Sequence, residues 1–336
     1  MREGASSEHM PTPTDAHDLR VLVLTNMYPT PAEPEFGCFV RDQVDDLKAL
    51  GVPVSVLAFD GRPARRRYLL AGCALHRALR RGRFDLVHAH YGLTGAVAAT
   101  QLRAPAVTTF HGSDAWVPWQ RKVSWLVARR THPIPVAPVI AGSLGLRDAP
   151  IIPCAVDLDR FTPIDRVEAR KALGWPQHAC CVLFPAARGD VTKLVRKQVG
   201  VFDAAVERLR GRVPGIFTAS LDGLTRDQVA LAMNAADVAV MTSLWEGAPV
   251  GIKEALACQT PVVSVDVGDV AGLIDGLPGC AVVTRDPEAV AQGIEHAVAA
   301  GRQPILREAM RPYGRRAIAE RVLGVYQRLL GRGGGL

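Results

Sequence analysis

Residues 238–265 read VAVMTSLWEGAPVGIKEALACQTPVVSV. The stretch opens with a short apolar run, Val238 to Met241, and closes with another, Pro261 to Val265. Both runs are typical of buried parallel strands. Between them, a loop containing glycine and proline leads into helical spacing from Ile252 to Cys258. A strand, a crossover helix and a second strand form the repeating unit of a parallel sheet, so this stretch predicts a Rossmann-like α/β domain.

The same alternation continues on both sides of this stretch. In the first half we predict strands at residues 20–25, 52–59, 85–90 and 106–110, and helices at 39–50, 64–83 and 95–102. A proline-containing segment, residues 151–163, interrupts the pattern, which restarts at a strand over 180–184. We therefore predict a tail or tag at 1–18, an N-terminal domain at 19–155, a C-terminal domain at 156–312, and a C-terminal helix at 313–336 that could cross back to the first domain. The two Rossmann-like domains are expected to face each other across a cleft.

Composition narrows the class of protein. The 336 residues are 48% hydrophobic and 22% charged, which is typical of a globular chain of two domains. The net charge of +7 favours phosphates, nucleotides, acidic membranes or nucleic acid as partners. Seven cysteines without a C-x-x-C pair predict reduced thiols in a cytoplasmic protein. The sequence contains neither an apolar run long enough to span a membrane nor a dinucleotide or Walker A motif.

Two carboxylates frame the loop that precedes the predicted helix. Glu246 stands in the loop, and Glu254 is expected in the first turn of the helix. A helix N-terminus offers free backbone N–H groups and a positive dipole end, which suit a phosphate. A carboxylate close by can accept hydrogen bonds from a sugar diol. The loop is therefore a candidate anion site.

This segment resembles the E-x7-E signature of family 4 glycosyltransferases, which have the GT-B fold. The flanking residues 233–238 and 260–269 are similar to the family as well. The resemblance implies that Glu254 holds the nucleotide ribose and that Glu246 lies by the transferred sugar. The resemblance also implies that the diphosphate lies near the backbone of Pro249, Val250, Gly251 and Ile252.

Three further segments resemble the family. Residues 110–114, FHGSD, are similar to its H-G-x-D loop, which would place His111 near the donor sugar and diphosphate and Asp114 in the donor site. Residues 153–163 resemble an interdomain segment, although Cys154-Ala155 replace its usual Asn-Gly. Gly37 would let the first loop approach donor and acceptor, and a plain strand-to-helix turn is the alternative.

The family also places a lysine and an arginine after the first strand of the second domain. Lys197 and Arg188 fit these positions best, with both residues in catalytic roles on the diphosphate. The loop is longer than the resemblance predicts, so Lys193 and Arg196 are alternatives. Arginine suits a bidentate hold on phosphate oxygens, and lysine acts as a point charge. Solvated surface charge would produce the same cluster.

The resemblance covers about residues 20–330 and is weaker at 62–83 and 116–150. It implies a retaining, hexosyltransferase-like enzyme without an essential metal. The donor would be a nucleotide diphosphate sugar, with UDP or GDP as the nucleotide and no other cofactor. The resemblance does not identify the acceptor, which we expect to be a small molecule such as a natural product. The alternatives are a peripheral membrane glycosyltransferase with a lipid-linked cell-envelope acceptor and a nucleotide-sugar-binding module without catalysis. The alanine and arginine usage suggests a bacterial source.

The segment at 64–83 is helical in pattern and rich in arginine. It is either a solvated surface helix or a helix that touches anionic lipid at the inner face of a membrane. Nucleic acid is not expected, because the arginines are not interleaved with aromatic residues. His88 and His90 have H-x-H spacing on one strand but no evident carboxylate partner, so we predict residues at a strand end, not a metal site.

Overall fold

The computed structural model describes residues 19–33, 35–62, 64, 66–189 and 191–331, without the side chains of 191–193. The predicted tail at 1–18, Arg65 and the side chain of Lys193 therefore lie outside the described residues. The chain forms two compact units. The first comprises residues 1–109, 123–133 and 319–336, and the second comprises residues 110–122 and 134–318.

The first sheet has five strands in the order β2-β1-β3-β4-β5. Its strands are β1 (Val21–Thr25), β2 (Val54–Ala58), β3 (Leu86–His90), β4 (Ala106–Phe110) and β5 (His132–Pro135). The helices in this part of the chain are α1 (Cys38–Ala49), α2 (Arg66–Arg81), α3 (Gly92–Ala98), α4 (Ser113–Trp116), α5 (Pro118–Val127) and α6 (Pro138–Leu144). The pairs β1–β2, β1–β3 and β3–β4 are parallel. Strands β1, β3 and β4 are buried along their whole length, as apolar parallel strands should be.

The second sheet is also five-stranded and parallel, in the order β10-β9-β8-β6-β7. Its strands are β6 (Cys180–Leu183), β7 (Ile216–Ala219), β8 (Val238–Met241), β9 (Val262–Val265) and β10 (Ala281–Val283). The helices are α7 (Arg166–Leu173), α8 (Val191–Lys197), α9 (Val199–Arg210), α10 (Arg226–Ala235), α11 (Val250–Ala257), α12 (Val270–Ile274), α13 (Pro287–Ala300), α14 (Pro304–Glu308) and α15 (Arg315–Leu329), with a 3-10 turn at Arg311–Tyr313.

The prediction of two Rossmann-like sheets is confirmed. Helix boundaries follow local signals. Helix α1 ends before Gly51, which has φ +85°, and a capping box of Thr225 and Gln228 starts α10.

Two expectations were wrong. The predicted long loop after β6 contains α8, and α3 begins at Gly92, three residues before the predicted start. All seven cysteines are free.

Helix α2 lies on the first sheet through one apolar stripe. Ala71, Leu75 and Leu79 are buried, and the two leucines belong to the same core cluster as Leu24 and Val87 of the sheet. The opposite side of the helix faces solvent. Among the described residues, no helix has the length and apolar composition needed to cross a membrane.

A buried polar contact joins α15 to the first sheet. The Tyr326 hydroxyl lies 2.5 Å from Nδ1 of His88, and Nε2 of His88 lies 2.7 Å from the hydroxyl oxygen of Thr109. His90 is buried beside His88, with 4.3 Å between the ring centroids. Residues 319–331 therefore complete the core of a unit whose sheet was built from the first part of the chain.

Candidate functional site

The loop between β8 and α11 is held by backbone-to-backbone contact at Gly247. A Cβ built on Gly247 would lie 1.9 Å from the carbonyl oxygen of His111, so this position has no room for a side chain. On the neighbouring loop, Gly268 has φ +63°, and its Cβ would lie 2.2 Å from the Gly247 carbonyl oxygen. The loops carrying His111, Gly247 and Gly268 thus lie directly against one another, and glycine is required for both contacts.

Glu246 lies in a cluster of opposite charge. Its Oε1 accepts a hydrogen bond from Nζ of Lys197 at 2.6 Å, and its Oε2 lies 2.9 Å from Nη1 of Arg196. The side chains of Glu246 and Lys197 are 12% and 14% exposed, so the pair is largely removed from water. Burial raises the pKa of Glu246, but the charges of Lys197 and Arg196 outweigh it, and the pKa lies below its ordinary value.

Helix α8 and the loop after β8 position these two cations. Lys197 is the last residue of α8, and the next residue, Gln198, has φ +52°. The Thr242 hydroxyl donates to the Lys197 carbonyl at 2.9 Å, and the Leu244 N–H donates to the Arg196 carbonyl at 2.8 Å. The end of α8 is therefore fastened to the loop that carries Glu246.

The other predicted cation, Arg188, lies in a different cluster. Its guanidinium pairs with Asp203 at 2.6 Å, and its backbone N–H donates to Asp222. Of the four candidate cations, the structure thus brings Lys197 and Arg196 together at Glu246. It places Arg188 beside Asp203.

Glu254 lies in α11 and is buried. Its carboxylate forms an ion pair with Arg226, the first residue of α10, and the Arg226 guanidinium lies over the Phe161 ring at 5.0 Å. Glu254 is the fifth residue of α11 and not in its first turn, which corrects the sequence prediction. Arg226 was not predicted, because a lone arginine 28 positions away has no pattern that links it to Glu254.

The N-terminus of α11 is its accessible part. Val250 and Gly251 are partly exposed, whereas residues 252–258 are buried. Pro249 is the N-cap residue and has no N–H, so it cannot donate to a phosphate as the resemblance suggested for this stretch. Backbone donors at this end belong to Val250 and the residues after it.

A buried lysine in α11 was missed by the sequence analysis. The Lys253 side chain is fully buried, and its Nζ donates to Oδ2 of Asp269 at 2.7 Å. Asp269 follows Gly268 and precedes α12. A signal was present, since apart from Lys253 and Glu254 the helix sequence VGIKEALA is apolar, and a helix that is apolar on all faces is usually buried.

His111 and Asp114 form one compact turn. The Asp114 carboxylate is buried and accepts hydrogen bonds from the N–H groups of His111, at 3.0 Å, and Gly112, at 2.7 Å. Burial lowers the pKa of His111 to about 3, so its imidazole is neutral near pH 7. Asp114 therefore shapes the loop, and His111 is an uncharged group that contacts the Glu246 loop through its carbonyl.

Gly37 belongs to the first unit. It has φ +71°, and a Cβ there would lie 2.3 Å from the carbonyl carbon of Met27, so the start of α1 lies against the loop after β1. Among the described residues, no group of three or more histidine, cysteine or acidic side chains could hold a metal ion. His88 takes part in the buried contact with α15, and His90 packs beside the His88 ring.

Family models match both halves of the chain. Residues 15–160 match the family described as Glycosyltransferase Family 4, and residues 197–300 match Glycosyl transferases group 1. The D-inositol 3-phosphate glycosyltransferase of Actinosynnema mirum is 30% identical, over 68% of this chain and 67% of the relative. The chain belongs to glycosyltransferase family 4. Within this family, the putative teichuronic acid biosynthesis glycosyltransferase TuaC of Bacillus subtilis is 25% identical, over 82% of this chain and 88% of the relative.

Solved structures show the fold of this family 4 glycosyltransferase. Sucrose-phosphate synthase from Thermosynechococcus elongatus superposes with a TM-score of 0.74 at 18% identity, covering 94% of this chain and all of that one. HepE from Anabaena, solved in complex with UDP, gives a TM-score of 0.68 at 15% identity, covering 92% of this chain and all of that one. The GT-B fold class is thereby confirmed, and the protein is a glycosyltransferase.

Proposed function

We propose that this glycosyltransferase takes its sugar from a nucleotide diphosphate sugar, UDP or GDP, bound by the second unit. The proposal rests on one observation. Lys197 and Arg196, at the end of α8, both pair with Glu246 in the loop that leads into α11. Two cations and a helix N-terminus suit a diphosphate, and a carboxylate suits sugar hydroxyls. HepE was solved with UDP and with UDP-glucose, which favours UDP.

The proposed reaction retains the configuration at the anomeric carbon. The acceptor hydroxyl attacks this carbon on the face from which the diphosphate leaves. The bond to the acceptor oxygen forms as the bond to the phosphate oxygen breaks, and the hydroxyl proton passes to the leaving diphosphate. The cations stabilise the charge on that leaving group, and preorganised donors of this kind are usually the largest contribution to catalysis. No metal is required in this scheme.

Glu246 gives Lys197 and Arg196 a second role. In the structure, its carboxylate forms ion pairs with both cations. A bound diphosphate carries more negative charge and would compete for the same groups. We propose that the cations exchange partners on donor binding and that the carboxylate then accepts hydrogen bonds from the sugar.

We propose a small-molecule acceptor with a free hydroxyl group. One relative is named for D-inositol 3-phosphate and another for teichuronic acid biosynthesis, so their names do not point to a common acceptor. We therefore propose only the reactive group and the size of the acceptor. A substrate screen is needed to identify the rest of the molecule.

Thermal-shift measurements with UDP-, GDP- and dTDP-sugars and the free diphosphates test the donor. Stabilisation by one nucleotide is expected, and the Glu254→Ala variant should lose it. Glu207→Ala, which removes an exposed glutamate on α9, is the matched control and should keep it. If no nucleotide stabilises the wild-type protein, or if Glu254→Ala responds as the wild type does, the proposed donor site is wrong.

Retention of the anomeric configuration is tested by NMR of the product linkage. A product with inverted configuration would overturn the proposed mechanism.

Lys197→Ala tests the role of the cations in transfer. Loss of one charge-stabilising group should lower kcat by about 10²–10³-fold, measured as sugar transfer or donor hydrolysis. Lys171→Ala on α7 removes an exposed lysine and should leave the rate unchanged. An unchanged rate in Lys197→Ala would exclude Lys197 from the mechanism.

A further inference from the structure

One side of α2 carries a surface that the fold does not use. We call it the outer face. It consists of the exposed residues on the side of the helix away from the buried Ala71, Leu75 and Leu79, namely Arg66, Arg67, Leu69, Leu70, Cys73, Arg77, Arg80 and Arg81. The helix has 16 residues, so the face extends over roughly 24 Å.

The two leucines of the outer face are unusually accessible. Leu69 is 75% exposed and Leu70 is 65% exposed. The inner face of the helix already fills the space above the sheet with Leu75 and Leu79, and Tyr68 packs edge-on against the Phe59 ring. The core of the first unit therefore has no need of Leu69 or Leu70, and two adjacent apolar side chains remain in water.

The charges around these leucines all have one sign. The helix sequence RRYLLAGCALHRALRR contains no aspartate or glutamate. None of the five arginines of the outer face lies within ion-pair distance of a carboxylate in the described part of the chain; elsewhere on the protein, arginines such as Arg170 and Arg212 are paired. Arg67 donates to the Asp60 carbonyl at 3.2 Å, and the other four guanidinium groups have no such neighbour among the described contacts. Guanidinium groups without an ion pair, beside exposed leucines, are typical of a helix that lies on an anionic interface.

We infer that the outer face of α2 binds the surface of an anionic lipid bilayer. The arginines would contact lipid phosphates, and Leu69 and Leu70 would enter the boundary between headgroups and acyl chains. Nucleic acid fits less well, because the face has no aromatic side chain on which a base could stack. This inference concerns the first unit and does not depend on the identity of the donor.

Vesicle flotation tests the inference on the full chain. Wild-type protein should float with vesicles of equal parts phosphatidylcholine and phosphatidylglycerol, but not with phosphatidylcholine alone. The bound fraction should fall between about 0.05 M and about 0.5 M salt, because screening weakens the attraction. If the wild-type protein does not bind the anionic vesicles, or binds an RNA or DNA duplex but not the vesicles, the inference is wrong.

Two pairs of variants locate the contact. Arg77→Glu with Arg80→Glu should weaken vesicle binding at least about tenfold, whereas Lys48→Glu with Arg103→Glu makes the same charge change at exposed positions of the same unit and should have a much smaller effect. Leu69→Ser with Leu70→Ser should weaken vesicle binding, and the remaining binding should still depend on salt. Leu102→Ser is the control for these two substitutions, because Leu102 is a leucine outside α2 that is 99% exposed. Equal losses in the controls and the α2 variants would overturn the assignment.

Cys73 provides a second readout at the centre of the outer face. It is the exposed cysteine among the seven, so a thiol-reactive environment-sensitive fluorophore can be attached there. Anionic vesicles should shift its emission to the blue, and nitroxide-labelled lipids should quench it. A probe at Cys73 that stays in water while the protein floats would show that another surface binds the membrane, and would contradict the inference.

Discussion

At the scale of single residues, the charge of Glu246 depends on its two neighbours. Burial favours the protonated carboxyl, and Lys197 with Arg196 reverses that preference. The three side chains come from two separate segments of the chain, and each would be costly to bury alone. The enzyme is therefore stabilised by the same charges that the proposed reaction uses.

Glu246→Gln should lower the free energy of unfolding by about 3 kcal/mol near neutral pH, because two partly buried cations lose their carboxylate. The native pKa of Glu246 is below its ordinary value, so its stabilisation is fully present above pH 4.5, the unfolded value, and is lost as the pH falls through the native pKa. Denaturant titrations of both proteins at pH 7 and at successively lower pH measure this. A difference that is independent of pH would contradict the role of the charge.

Gly247→Ala should destabilise the second unit by about 1–3 kcal/mol and weaken nucleotide binding, since its Cβ would overlap the His111 carbonyl oxygen. The two loops must then separate. Gly142→Ala, in α6, is the control because no atom lies within 4 Å of its Cβ. Thermal midpoints and nucleotide-dependent shifts of both variants give the comparison. Similar behaviour of the two would mean that the His111–Gly247 contact is not needed.

At this scale the sequence named candidate residues but few of the contacts between them. Glu246, Lys197 and Glu254 were named from the resemblance, and Glu246 and Lys197 do meet. The partners Arg226 and Asp269 were not found, because ion pairs between distant segments follow from the tertiary fold and not from spacing. The position of Arg196 beside Glu246 stayed open for the same reason.

At the scale of elements, α11 is fixed to the turn before α12 by Lys253 and Asp269. The ammonium is completely buried, so its charge is compensated by a carboxylate on the next loop. Asp269 follows Gly268, and Gly268 packs against the backbone of Gly247. The Lys253–Asp269 pair therefore also holds the Gly268 loop against the Gly247 loop. The pair is thus a positioning device for the loop that carries Glu246.

Asp269→Asn should cost about 3–5 kcal/mol of unfolding free energy, because it leaves a buried ammonium without a counter-charge. Lys253→Met combined with Asp269→Asn should recover much of that loss, since an apolar side chain of similar length then fills the site. A double-mutant cycle with chemical denaturation measures the coupling. Additive losses in the cycle would show that the two side chains act independently.

Element prediction succeeded where the pattern was strong and failed at short segments. The strands of both sheets that are continuous apolar runs were found. Strand β5 was missed because two of its four residues are prolines, which are rare in strands. Helix α8 was read as a loop, since it is only seven residues long and β-branched residues reduce its helical propensity.

At the scale of the whole molecule, the first unit is assembled from separated parts of the sequence. Residues 319–331 contribute Tyr326, which is fully buried against His88 of β3. Burial raises the pKa of Tyr326, so its hydroxyl remains protonated and able to donate. The second unit interrupts this assembly along the chain but has a core of its own.

Tyr326→Phe should lower the stability of the first unit by about 1–3 kcal/mol, because His88 loses a buried hydrogen-bond partner. Calorimetry should show a lower melting transition for the first unit, with the transition of the second unit unchanged. Tyr313→Phe, on a partly exposed tyrosine of the second unit, is the control and should not move the first transition. A shift of both transitions in Tyr326→Phe would mean that the contact stabilises the chain as a whole.

The split assembly of the first unit sets an order for events on the ribosome. The strands around His88 are synthesised early, yet the tyrosine that closes their core arrives only after residues 134–318 have been translated. At roughly 5–20 residues per second, this delay is on the order of ten seconds or more. During that time the nascent sheet exposes apolar surface while the later-made unit can already finish its own core. Chaperone dependence during synthesis should therefore fall on the half of the protein that is made first.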